Sequence, residues 1–150
     1  MTLSDTTDTL LYVFSPKWGY CRLNTANVQR LFKFHKRRVE VLSISISAVG
    51  LSEYLTRYPI PGRIYIIDSP EAIARWHFGI TPQLALIDHS RKIVVRVWQG
   101  AWSPSIQRDL EQRFAVKLPG LTSMAAQCPN AGHLELLCRF RTKRNPATWG

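Results

Sequence analysis

The chain has 150 residues and a formal net charge of +10, from 20 Lys and Arg against 10 Asp and Glu. Hydrophobic residues make up 45% and charged residues 20%, the balance of one globular domain, which excludes fibrous repeats and wholesale disorder. The positive excess permits contact with nucleic acid or anionic lipid without dictating a fold, and no apolar run approaches the ~20 residues of a membrane helix.

Three cysteines, Cys21, Cys128 and Cys138, are too few for a disulfide framework. No Cys-x-x-Cys is present. The four histidines, His35, His77, His89 and His133, do not join the cysteines at zinc-ligand spacing, so neither a metal nor another cofactor is expected. Residues 1–9 hold no Lys or Arg and no long apolar stretch. They do not read as a secretory signal, and on that ground the expected compartment is the cytoplasm.

Residues 10–14, LLYVF, form a short apolar run suited to a buried strand. The Ser15-Pro16-Lys17-Trp18-Gly19 loop follows, and residues 20–36 then read as a helix. Val28, Leu31, Phe32 and His35 share one of its faces, and Lys36, Arg37 and Arg38 complement the negative end of its dipole. Residues 39–46, VEVLSISI, alternate as a strand. A short helix over 48–58, a strand over 63–67 and a helix over 70–78 come next. Ser69 is placed to cap the last of these, Pro70 to open it, and Gly79 to take the left-handed residue beyond it.

Strands over 83–87 and 92–98 are joined by so short a link, Asp88-His89-Ser90-Arg91, that they must pair antiparallel. Ser103 and Pro104 open a last helix with Ile106, Leu110 and Phe114 as its buried stripe. Trp98 is expected in the core and Trp102 nearer the surface. Beyond Val116 the pattern fades. The expected domain is therefore 9–117, with 118–150 a loosely packed or disordered basic tail holding one apolar run at 134–138. The order β-α-β-α-β-α-β-β-α predicts an α/β fold, a mixed central sheet with helices on both faces.

This order, with three local motifs, resembles the thioredoxin-like superfamily over roughly residues 10–114, and most nearly its TlpA/ResA branch of thiol–disulfide proteins. Val13-Phe14-Ser15-Pro16-Lys17-Trp18-Gly19-Tyr20-Cys21-Arg22 is similar to the branch's strand, Ser-Pro-x-Cys-x-x-Cys, basic residue and helix. Phe78-Gly79-Ile80-Thr81-Pro82 is similar to its Tyr-Gly-Val-x-x-x-Pro, one or two residues shorter. Leu84 to Val94 resembles its closing hairpin. The resemblance implies a cis proline at Pro82 facing the start of the first helix, with the backbone before it pairing with a bound peptide or partner protein. It also points to the cell envelope, against the cytoplasmic expectation above.

The motif departs from the family where the chemistry lies. Cys21 matches the second cysteine, and Trp18 stands where the first would be. A first cysteine at a helix N-terminus is acidified and attacks; the second resolves the mixed disulfide. Trp18 cannot attack, so the motif alone cannot run a dithiol cycle, and standard oxidoreductase activity is not expected. Cys21 admits three readings: a small buried apolar residue, a single reactive thiol pairing with a partner or with Cys128 or Cys138, and a one-cysteine peroxidase. The Thr/Ser-x-x-Cys pattern of the last is missing, because Trp18 holds the Thr position.

Trp18, Gly19, Tyr20, Thr81 and Pro82 are the candidate binding groove, the aromatics serving either as packed side chains or as its apolar rim. Cationic runs at Lys33, Lys36, Arg37 and Arg38, and at residues 139–144, read as solvated surface, with weak nonspecific attraction to polyanions. The leading expectation is a thioredoxin-fold protein that binds a partner protein or peptide. The alternatives are a redox protein using Cys21, and a basic binder of nucleic acid or an anionic surface.

Overall fold

The computed structural model describes residues 8–35 and 37–121. The elements are β1 (Asp8–Phe14), α1 (Gly19–Phe34), β2 (Val39–Ser45), α2 (Leu51–Arg57), β3 (Arg63–Ile66), α3 (Pro70–Arg75), β4 (Gln83–Asp88), β5 (Ile93–Gln99) and α4 (Pro104–Phe114). The strands make one sheet in the order β3-β2-β1-β4-β5. β1 pairs β2 and β2 pairs β3 in parallel, because a helix carries the chain back between them. β4 runs antiparallel to both β1 and β5. Its hairpin to β5 is closed by Asp88, whose Oδ1 accepts from Ser90 Oγ at 2.7 Å and from the Arg91 N–H at 3.0 Å.

Strand alternation divides the core in two. Leu10, Tyr12 and Phe14 of β1, with Leu84, Leu86 and Trp98, face α1, α2 and α4. Leu11, Val13, Leu42, Ile44 and Ala85 face the other way, against Phe78 and the α3 residue Ile73. β1, covered on both sides, is buried from Thr9 to Phe14 and so reads as a continuous apolar run. An aromatic ladder lies under α1. Tyr12 stacks on Phe14 at 5.5 Å, Phe14 on Tyr54 at 5.4 Å, and Phe32 meets Tyr12 edge-on at 6.2 Å.

Several local expectations change, and α2 opens at Leu51, three residues later than expected. α1 stops at Phe34: His35 is extended and half-buried, its Nδ1 within 2.7 Å of the Arg37 carbonyl oxygen. α3 stops at Arg75, and the left-handed residue is His77 (φ 56°), not Gly79. There the N–H groups of His77 and Phe78 donate to the carbonyls of Ala74 and Ile73, a Schellman closure. Phe78 docks beside Ile73 in the second core cluster, which draws the turn in early.

Trp102 is not at the surface. It is 1% exposed, and its backbone N–H donates to Asn24 Oδ1 of α1 at 3.2 Å. Finally, packed chain continues past Lys117: Leu118 is buried, its carbonyl accepts from Gln107 Nε2 at 3.2 Å, and the Gly120 N–H reaches Asn27 Oδ1 at 2.9 Å. The 134–138 run, Cys128, Cys138 and the basic stretch 139–144 lie outside the described residues.

Candidate functional site

The loop between β1 and α1 is built by short-range hydrogen bonds. Ser15 Oγ accepts from the Lys17 N–H at 3.3 Å, and the Ser15 carbonyl accepts from the Trp18 N–H at 3.2 Å. The Trp18 carbonyl then takes the Cys21 N–H at 3.2 Å, starting the helix. Trp18 is the N-cap residue, extended at φ −95° and ψ 126°, and has no side-chain oxygen to cap with. Its indole is left outside: Trp18 is 54% exposed and Tyr20 47%. Gly19 between them is half-buried, with nothing within 4 Å of where a Cβ would stand.

Cys21 is completely buried. Its Sγ accepts from the Ser15 N–H at 3.5 Å, and its carbonyl accepts from Thr25 Oγ1 at 3.1 Å. Thr25 Oγ1 also lies 3.4 Å from the Tyr54 hydroxyl of α2. Burial pushes the thiol pKa up, and the Ser15 N–H, the Thr81 hydroxyl and the Arg22 charge recover only part of this, so the neutral thiol is favoured beyond its ordinary range. Tyr12 and Tyr54 are raised too, first by burial, then by neighbours that include Cys21. Among the described residues no carboxylate acts on this thiol.

The Thr81–Pro82 peptide bond is cis. Thr81 and Pro82 are both buried at the entry to β4, and the Pro82 carbonyl accepts from the Gly100 N–H at 2.8 Å. The Thr81 hydroxyl acts on the Cys21 thiol, yet it closes no hydrogen bond of good geometry and has no other partner among the described residues. The turn before β4 therefore lies against the first turn of α1. Trp18 caps that helix and Gly19 and Tyr20 open it, while the Thr81 hydroxyl is turned to its buried side at Cys21. A cavity of about 360 Å³ opens beside the same loop, between Pro16, Lys17 and Arg22 and the α2 residues Glu53, Tyr54 and Arg57.

The environment of Cys21 is richer than the motif suggested. Thr25 had a legible signal, since it stands one turn after Cys21. Tyr54 had none: it reaches the thiol's neighbourhood only because α2 folds over the same sheet face. Among the described residues no three His, Cys, Asp or Glu side chains gather as a metal site, and no helix is long and apolar enough to cross a membrane.

No protein-family profile matches the chain, and no curated protein matches it in sequence. Solved structures do match in shape. A thioredoxin-related protein from Neisseria meningitidis serogroup B superposes with a TM-score of 0.59 at 12% identity, over 76% of this chain and 88% of that one. StoA from Bacillus subtilis gives 0.57 at 11%, over 71% and 84%. A thiol-disulfide isomerase from Corynebacterium glutamicum gives 0.57 at 13%, over 76% and 86%. At such identities the likeness speaks for the fold, and it agrees with the mixed five-stranded sheet and its four helices: the chain has the thioredoxin-like fold.

Proposed function

We propose that this protein binds a partner protein or peptide at the groove of Trp18, Gly19, Tyr20, Thr81 and Pro82, and has lost the dithiol chemistry of the proteins it resembles. The observation that carries this reading is the contrast between neighbours on one helical turn. Trp18 and Tyr20 are about half exposed, whereas Cys21 is sealed and its thiol pKa raised. An exposed Trp–Tyr pair supplies rigid apolar area, the usual anchor of a protein interface. A sealed, protonated thiol is a poor nucleophile. Trp18 at the N-cap leaves the acidifying position without a thiol.

The test is affinity capture of the partner with wild-type bait, Trp18→Ala and Cys21→Ser, each with and without reductant. Capture that survives reductant and Cys21→Ser but fails with Trp18→Ala supports the reading. Capture abolished by reductant or by Cys21→Ser transfers the function to the thiol.

A further inference from the structure

The second half of α1, roughly 20 Å along the helix from Trp18, carries a different surface. A groove of about 630 Å³ runs between α1, the Pro59-Ile60-Pro61 turn and the segment 117–119. Its floor is apolar, and Ile60 and Leu118 there are continuous with the main core. Its walls are tied together: Gln29 Nε2 donates to the Pro59 carbonyl, and Arg30 Nε donates to the Lys117 carbonyl at 3.3 Å. These bonds fix both neighbouring segments to α1.

Its rim is cationic. The Arg30 guanidinium lies 4.5 Å from the centre of the exposed Phe34 ring, and Lys33 Nζ lies 5.5 Å from the same ring. Lys117 is paired with Glu111 at 3.2 Å. Among the described residues Arg30 and Lys33 make no ion pair, and no Asp or Glu lines the groove. Two cations held beside an apolar floor, with no carboxylate of the described residues facing them, leave the negative partner to the occupant.

The protein itself is a poor source of that charge. Residues 122–150 contain one acid, Glu135, against Arg139, Arg141, Lys143 and Arg144. A second copy brings a net charge of +10, which repels. A nucleic-acid strand would want free aromatic faces for its bases. Here the exposed Phe34 ring, the aromatic among the described lining residues, already carries Arg30, and the floor is aliphatic and proline-rich.

We propose that this groove docks an acidic amphipathic segment of a partner protein, its bulky apolar side chains on Ile60 and Leu118 and its carboxylates against Arg30 and Lys33. Charge complementarity of this kind sets specificity and encounter rate more than raw affinity, so binding should weaken as salt rises.

The test is selection of a displayed random-peptide library on the full chain, followed by measured binding of the enriched peptides. The expected peptides combine Asp or Glu with Leu, Phe or Trp. Lys33→Glu should weaken them about fivefold or more, whereas Arg91→Glu, the same charge change at the β4–β5 hairpin, should not. The Lys33 side chain makes no hydrogen bond among the described residues, so this variant should fold; if circular dichroism shows otherwise, Lys33→Gln replaces it with a smaller expected loss. Absence of enrichment, peptides without acidic bias, or binding indifferent to Lys33 overturns the proposal. So does Lys33-dependent binding of phosphatidylglycerol vesicles or single-stranded RNA when no acidic peptide is enriched.

Discussion

The Ser15 backbone N–H donates to Cys21 Sγ at 3.5 Å, fastening the end of β1 to the first turn of α1 through a completely buried sulfur. The sulfur acts here as an acceptor and a filler, and burial raises its pKa. In a variant with Cys128 and Cys138 changed to Ser, Cys21 should react with a thiol reagent at least about a hundredfold more slowly folded than unfolded, because reaction waits on local opening. Labelling at the rate of a free thiol would place Cys21 among reactive cysteines and sink the binding-only reading.

The same burial makes stability depend on alkali. A pKa raised on folding gives stability that is complete below the unfolded thiol value, about 8.5, and is lost as pH rises through the folded one, because the unfolded chain releases the proton first. Wild type should therefore lose thermal stability relative to Cys21→Ala as pH climbs past the ordinary thiol range. Parallel curves for the two proteins would contradict the raised pKa.

Leu118 is buried against the main core and its carbonyl is held by Gln107. Leu118→Ala should cost about 2–4 kcal/mol, read from urea unfolding, since the cavity opens in packed core. A loss near zero would mean that Leu118 adds nothing to the core.

Trp98 Nε1 donates to Asp109 Oδ2 at 2.8 Å, joining β5 to α4, and Arg113 and Arg96 sit on the same carboxylate at 3.2 and 3.4 Å. Burial works to raise the Asp109 pKa, but Trp98, Arg113 and Arg96 together carry it below the ordinary value. A depressed carboxylate gives stability that is present above its unfolded pKa, about 3.9, and is lost as pH falls through the folded one. Asp109→Asn should cost about 1 kcal/mol at neutral pH. The gap between variant and wild type should narrow on acidification below pH ~4. A constant gap would mean that the charge contributes nothing.

How much of this was legible depended on range in sequence. β1, α1 and the hairpin are written in local signals: an apolar run, a 3.6-residue stripe, and a four-residue link too short for anything but antiparallel pairing. Ser69 and Ser103 cap as their spacing requires, accepting from the N–H groups of Ala72 and Ile106. The failures are tertiary. Trp102 reads as a loop aromatic until Asn24, 78 positions earlier, takes its N–H. His77 takes the left-handed turn that Gly79 should have had, because Phe78 finds the core. The Trp18–Cys21 spacing was visible in sequence; the sealing of Cys21 under Thr25, Tyr54 and Thr81 needed three elements to meet.

That spacing can be reversed. Trp18 is the N-cap residue, its carbonyl bound to the Cys21 N–H, so a side chain there begins the same helical turn that ends at Cys21. Trp18→Cys would create Cys-Gly-Tyr-Cys, with the new thiol at the positive end of α1, where the thiolate is favoured. Because Trp18 is 54% exposed, losing the indole should cost only about 1 kcal/mol. With oxidised glutathione the variant should form an internal disulfide, two glutathione thiols being released as the two cysteines are oxidised. With dithiothreitol as electron source it should speed the reduction of insulin, which wild type should not. Catalytic turnover by wild type would refute the loss of dithiol chemistry. A folded variant that forms no internal disulfide would show instead that Trp18 does not stand where the attacking cysteine belongs.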